Sequence, residues 1–162
     1  MAEFQMERVP WDDERAVALR RLMGRDMADR YGLHDEPAEL SEKRSQALAV
    51  DPDRVRATLL AVLPDGTAAG HIALRRLHDD WEVKRLIVTE GARRLGIGRT
   101  LLEEAERIAR DGGAHRVILQ TGEKQPEAVA MYRRLGYSPI PVYEPYVETM
   151  PHSLCFEKVF PS

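Results

Sequence analysis

The stretch that most restricts this chain runs through Glu82-Val83-Lys84-Arg85-Leu86-Ile87-Val88, the turn Arg93-Arg94-Leu95-Gly96-Ile97-Gly98, and a helix with Leu101, Leu102, Ala105, Ile108 and Ala109 on one face. A strand that turns through glycines into a helix frees backbone N–H groups at the positive end of that helix, where they can cradle an anion. Arg93, Arg94 and Arg99 flank the turn. The chain has 20 Arg against 4 Lys, so most of its arginines reflect a compositional bias, but at this turn the geometry gives them a phosphate to face. The same glycines also suit a plain tight loop that needs φ > 0. Two nucleotide loops are excluded by position. A Walker loop requires Lys where Ile97 stands, and a dinucleotide fingerprint requires a third Gly where Leu101 stands. The pattern that fits is Arg/Gln-x-x-Gly-x-Gly.

The rest of the chain surrounds this unit with alternating elements. Met6 to Pro10 reads as a short strand, and Asp12 or Asp13 caps a helix bearing Ala16, Leu19, Met23 and Met27 that ends near Tyr31-Gly32. A weaker helix follows between Pro37 and Ala49. Residues 57–63 and 69–77 form a hairpin about Pro64-Asp65-Gly66-Thr67, and 81–88 is the next strand. Glu103 with Arg107, and Glu106 with Arg110, stand at i,i+4 on the solvent side of the Gly-loop helix. Residues 116–121 are a strand, Pro126 opens a helix that Gly136 closes, and a Pro-rich stretch from Ser138 to Pro151 leads to the last strand, 153–159. The order β-α-α-β-β-β-α-β-α-β-β predicts an α/β (α+β) fold with a mixed, mostly antiparallel sheet and helices on its faces.

With 162 residues, 43% hydrophobic and 31% charged, the chain is expected to form one globular domain over 1–162. A formal charge of −3 gives no reason to expect nucleic acid as a partner. No apolar run reaches the roughly 20 residues of a membrane span, and Met1 to Arg8 lack the features of a signal peptide, so a cytoplasmic location is expected. Cys155 is the single cysteine; it is read as a buried structural thiol, and the five histidines show no ligand spacing, so no metal is expected.

Three segments together resemble the GCN5-related N-acetyltransferases, the GNAT superfamily. Residues 82–88 look like its central strand, Arg93 to Gly98 like its pyrophosphate loop, and Pro126 to Tyr137, with Met131-Tyr132 and Leu135-Gly136-Tyr137, like its second cofactor-binding segment. The resemblance implies a sheet of about six or seven strands with about four helices, and a CoA cleft where two central strands splay apart. It implies acetyl-CoA as donor. The pantetheine arm would pair with Leu86, Ile87 and Val88, and the pyrophosphate would lie on the N–H groups of Arg94, Leu95, Gly96, Ile97, Gly98, Arg99 and Thr100, beside Arg93. Many members carry Asn where this chain has Gln125, the expected pantetheine contact.

Acetyl transfer needs a neutral amine, a stabilised oxyanion and a proton for the departing thiolate. Glu82 stands 14 residues before Gly96, the offset of a catalytic glutamate in several members, and is the candidate base; the alternative is an ion pair with Lys84, on its face of an ideal strand, or with Arg85, on the other. By the same resemblance Tyr132 is the acid to the thiolate; the alternative is a core aromatic at helical spacing with Ala128 and Leu135. A backbone N–H of Ile87 or Val88 would meet the oxyanion. For the acceptor, Tyr31 and the Pro-rich stretch offer Tyr143 and Tyr146 as walls, with Glu144 and Glu148 as counter-charge for a cationic amine, against a plain solvated loop. A small-molecule primary amine is the expected acceptor; a protein N-terminus or lysine, and a silent acetyl-CoA sensor, are the alternatives. The final strand leaves a homodimer open.

Overall fold

The computed structural model describes residues 3–161. Its strands are β1 (Gln5–Arg8), β2 (Val55–Val62), β3 (Ala68–Leu77), β4 (Asp80–Val88), β5 (Arg116–Thr121), β6 (Ser138–Ile140) and β7 (Leu154–Val159). The helices are α1 (Glu14–Arg30), α2 (Ala38–Leu48), α3 (Ile97–Asp111) and α4 (Pro126–Arg134). The strands form one sheet in the order β1-β2-β3-β4-β5-β7-β6, and every pairing is antiparallel except β4 with β5. Local chemistry starts the helices as expected: the Asp13 carboxylate accepts from the N–H groups of Arg15 and Ala16 at the head of α1, and Pro126 opens α4. Among the described residues no helix is long and apolar enough to cross a membrane.

Each sheet face buries its own apolar layer. Leu59, Ile72, Leu74 and Val83 pack against Leu101, Leu102 and Ala105 of α3. On the opposite face Leu60 and Ile87 meet Ala16 and Leu19 of α1. The head of α3 sits directly on the β3 backbone: a Cβ on Gly70 would lie 2.5 Å from Ile97 Cγ2 and 3.0 Å from Leu101 Cδ1.

Two irregularities shape the functional region. Pairing of β4 with β5 is confined to Trp81–Val117, Glu82–Ile118 and Val83–Leu119, after which the strands part. A β-bulge then interrupts β4: Ala73 faces Lys84 and His71 faces Ile87, so Arg85 and Leu86 oppose Ile72 alone. Arg85 takes the extra turn with φ 58°. An inserted residue shifts the alternation of side chains by one, and Arg85 is thereby swung onto the α1–α2 side with Lys84, where its Nη2 donates to the Leu48 carbonyl at 2.8 Å. An ideal strand would have pointed it away.

Two expectations need correcting. Glu106 does not lie on a wet face; it is buried, accepting from the Tyr137 hydroxyl at 2.7 Å and Lys158 Nζ at 3.0 Å, because α4 and β7 close over that side of α3. Glu103 pairs with Arg99 rather than with Arg107, which is held by Glu104 and Asp111.

Candidate active site

Beyond the β4–β5 seam lies an open cleft, walled by the head of α3, by α4, and by the ends of α1 and α2. Its donor half is built from backbone. Thr89 N–H donates to Ala69 O at 2.9 Å, and His71 faces Ile87, so the main-chain groups of Ile87 point to β3. Those of Leu86 and Val88, one residue out of phase, point to the open edge, where β5 has left. An extended chain can pair there as an added strand. Of the three expected strand contacts, Leu86 and Val88 therefore offer hydrogen bonds, and Ile87 is committed to β3.

At the far end of that edge, Gly96 adopts φ 81° as the residue before α3, and no side chain caps the helix. Thr100 N–H is the first in α3 to find a helical acceptor, Gly96 O at 3.0 Å, which leaves the amides of Ile97, Gly98 and Arg99 facing outward. Arg93, Arg94 and Arg99 line the same wall with exposed guanidinium groups. Three open amides, a positive helix end and three arginines suit a pyrophosphate, and the free strand edge suits an amide-bearing arm, so the residues present fit acetyl-CoA. Two expected contacts fall outside the arrangement. The Thr100 amide is spent on Gly96 O, to which its hydroxyl also donates at 2.8 Å, and Leu95 does not line the cleft. Gln125, the residue before α4, lines the opposite wall near Gly122, with its side chain bonded to no described residue.

Tyr132, on α4, is buried and is among the residues that line the cleft. Its ring is held by Tyr137 and Phe156, with centroids 5.7 Å and 6.1 Å away, and its hydroxyl bonds to no described protein group. Burial pushes its phenol well above the ordinary value of 10, so Tyr132 carries its proton at any working pH. A thiolate formed in the same dry setting is destabilised likewise, which keeps proton transfer between them feasible.

Glu82 is placed differently from expectation. It is 0% exposed and absent from the cleft wall. Its carboxylate accepts from Arg75 Nε at 2.7 Å, Tyr143 OH at 2.5 Å and Tyr146 OH at 2.9 Å. A carboxylate enclosed by three donors has no direct contact with the cleft, and the geometry shows Glu82 as the anion of a buried ion pair. Its partner is neither Lys84 nor Arg85 but Arg75, the residue directly opposite on β3.

The acceptor end also departs from expectation. Tyr143 and Tyr146 turn inward, because a buried Glu82 requires their hydroxyl protons; burial and the adjacent carboxylate push both phenols up, and neither lines the cleft. Glu144 and Glu148 are exposed and do not line the cleft. Tyr31 does line the cleft: its hydroxyl accepts from Lys124 N–H at 3.0 Å, tying the end of α1 to the β5–α4 loop. Fit there is close, since a Cβ on Gly122 would collide with that hydroxyl. Cys155 is buried and burial raises its thiol, as suits a structural role.

One residue with no motif to mark it fixes the bulge. His71, 0% exposed, donates from Nδ1 to Arg85 O at 2.7 Å and accepts at Nε2 from Arg20 Nη1 at 2.9 Å. Arginine is a permanent donor, so this pairing requires the neutral ring, and burial draws His71 down to about 4. Only the three-dimensional register reveals it.

The chain was compared with known proteins. The model of the Acetyltransferase (GNAT) family matches residues 17–137. An IAA acetyltransferase of Azospirillum brasilense is 35% identical over 144 residues, covering 88% of each chain. The crystal structure of a Klebsiella pneumoniae protein assigned as an acyl-CoA N-acyltransferase superposes with a TM-score of 0.76 at 25% identity, covering 98% of this chain and 99% of that one. A GNAT family acetyltransferase from Elizabethkingia anophelis with acetyl-CoA bound superposes with a TM-score of 0.67 at 15% identity, covering 99% and 100%.

Proposed function

The chain belongs to the GNAT acetyltransferase family and is an acetyl-CoA-dependent N-acetyltransferase, and on that footing we propose that residues 1–162 form one catalytic domain that acetylates a primary amine of a small molecule by direct attack in a ternary complex. The observation that carries this reading is the pair of open main-chain edges, Leu86 with Val88 and Ile97 to Arg99, in one cleft that Tyr132 also lines. In this reading Leu86 and Val88 hold the pantetheine arm, and the amides of Ile97, Gly98 and Arg99, with Arg93 and Arg94, hold the pyrophosphate. Gln125 steadies the arm from the other wall. The acceptor nitrogen attacks the thioester carbon, a C–N bond forms and the C–S bond breaks. Val88 N–H, facing the open edge, meets the oxyanion, and Tyr132 gives its proton to the leaving sulfur, regaining one from solvent. The surplus proton on nitrogen goes to water, since Glu82 is enclosed. The relative named for IAA supports a small-molecule acceptor.

A free-thiol release assay with acetyl-CoA against amines, amino acids and short peptides tests the reading. Turnover with a small amine and not with peptides is expected. Turnover with peptides alone would replace the small-molecule acceptor with a protein one.

A further inference from the structure

The cations on the acceptor side of β4 outnumber the anions. Arg20, Arg75, Lys84 and Arg85 lie close enough to act on one another or on Glu82, the one carboxylate acting on them, which is matched to Arg75. Lys84 and Arg85 have neutral partners only: Lys84 Nζ donates to Tyr146 OH at 2.7 Å, and Arg85 Nη2 donates to the Leu48 carbonyl. Arg85 Nε is buried with no partner at all. Burial, the largest influence on both, draws Lys84 down to about 8 and lowers Arg85.

Cations held out of water without a counter-charge are costly, and an orphaned buried N–H adds to the cost. Yet the fold places these two side by side, since the bulge swings Arg85 onto the face of Lys84. Both line the cleft, beside apolar Met23, Met27 and Leu48 from α1 and α2. A cationic acceptor would add charge to a site that is already positive.

We infer that the acceptor amine also carries a carboxylate, which sits on Lys84 and Arg85 while its apolar body lies against Met23, Met27 and Leu48. An apolar α-amino acid is the simplest member of that class. The inference rests on the acetyl transfer proposed above, and supplies the missing anion: the carboxylate meets the positive charge of Lys84 and Arg85 where they line the cleft, and directs the amino group toward the thioester.

The test compares leucine, methionine and phenylalanine with their amides in the thiol-release assay at saturating acetyl-CoA and pH 7. The amide's amine is less basic, hence more nearly free at this pH, which biases the comparison against the inference. The acid should still win by at least ~30-fold in kcat/KM, the usual consequence of removing one member of a buried charge pair. Arg85→Asn, which tolerates the left-handed backbone, and Lys84→Met should each shrink that ratio to within about threefold while leaving the affinity for CoA unchanged. Equal rates for acid and amide in the wild-type protein would overturn the carboxylate seat and leave acetyl transfer standing. If neither releases thiol, calorimetry of the CoA-loaded protein with N-acetylleucine and N-acetylleucinamide decides. Tighter binding of the acid, lost in Arg85→Asn, would support the seat and exclude these amino acids as acceptors; equal or absent binding would overturn the seat.

Discussion

Glu82→Gln separates a buried ion pair from a catalytic base. The two side chains of the pair are 0% and 6% exposed, and the carboxylate is the acceptor for Arg75, Tyr143 and Tyr146 together. Removing its charge leaves Arg75 buried without a counter-ion, which costs about 3–5 kcal/mol in comparable sites. The two phenolic bonds fall from charge-assisted to neutral strength, roughly 1 kcal/mol each, so most of the loss comes from the stranded guanidinium. In a chain of this size each kcal/mol moves Tm by about 2–4 °C, so a total loss of about 5–7 kcal/mol gives an expected fall of about 10–28 °C. Thermal unfolding followed by circular dichroism measures it, with thiol release recorded from pH 6 to 9 on the same samples. Residual turnover should show a variant-to-wild-type ratio that is flat with pH. A second variant, Arg75→Met with Glu82→Leu, removes both charges and should regain part of the lost stability. A Tm unchanged within about 1 °C, with turnover depressed most at low pH, would refute the buried pair and restore Glu82 as the base.

Tyr132→Phe should lower turnover by about 10²–10⁴-fold and leave acetyl-CoA affinity intact in calorimetry, because its hydroxyl supports no other group; unchanged turnover would return Tyr132 to the core. Gly70→Ala drives a methyl into Ile97 and Leu101, and should cost about 1–3 kcal/mol in urea unfolding and weaken acetyl-CoA binding by displacing the head of α3. His71, held at about 4 in the fold against 6.5 unfolded, is a proton site that the unfolded chain fills first as pH falls. Its contribution is therefore complete above pH 6.5 and is lost toward pH 4, roughly 3 kcal/mol over the window, with Arg20 and Arg85 both opposing protonation. Urea midpoints of wild type and His71→Gln should converge as pH drops; parallel curves would show that His71 does not titrate this way.

The fold was legible where local chemistry repeats. Alternation gave β2 to β5, Asp13 and Pro126 marked helix starts, and the Gly96 turn with its amphipathic helix identified the donor loop. The expected order ends in two strands, but only the last was given bounds, because Ser138–Ile140 is too brief to show a period and contains a proline. The partner of Glu82 could have been found by counting. A two-residue turn at His78-Asp79 pairs Leu77 with Asp80, and continuing along the hairpin sets Arg75 against Glu82. The bulge could not be counted, since nothing in Lys84-Arg85-Leu86 announces an extra residue. The conclusion drawn from ideal alternation beyond Lys84, the side on which Arg85 lies, failed there. Tyr143 and Tyr146 misled for a different reason: a buried acid needs donors, and neighbouring phenols meet that need more cheaply than solvent exposure would.

The seam between β4 and β5 also has a mechanical meaning. Two blocks of sheet, β1 to β4 and β5-β7-β6, are joined by main-chain bonds along only Trp81, Glu82 and Val83. Arg116 braces the closed end against Asp80 at 2.9 Å and 3.0 Å, while Tyr31 and Lys124 latch the open one. Residues Lys84 to Val88 make a lever of roughly 16 Å, so a rotation of about 10° at the seam changes the width of the mouth by about 3 Å. The width at the mouth thus follows from the angle at which the two blocks meet, and the Asp80–Arg116 pair braces that angle from the closed end.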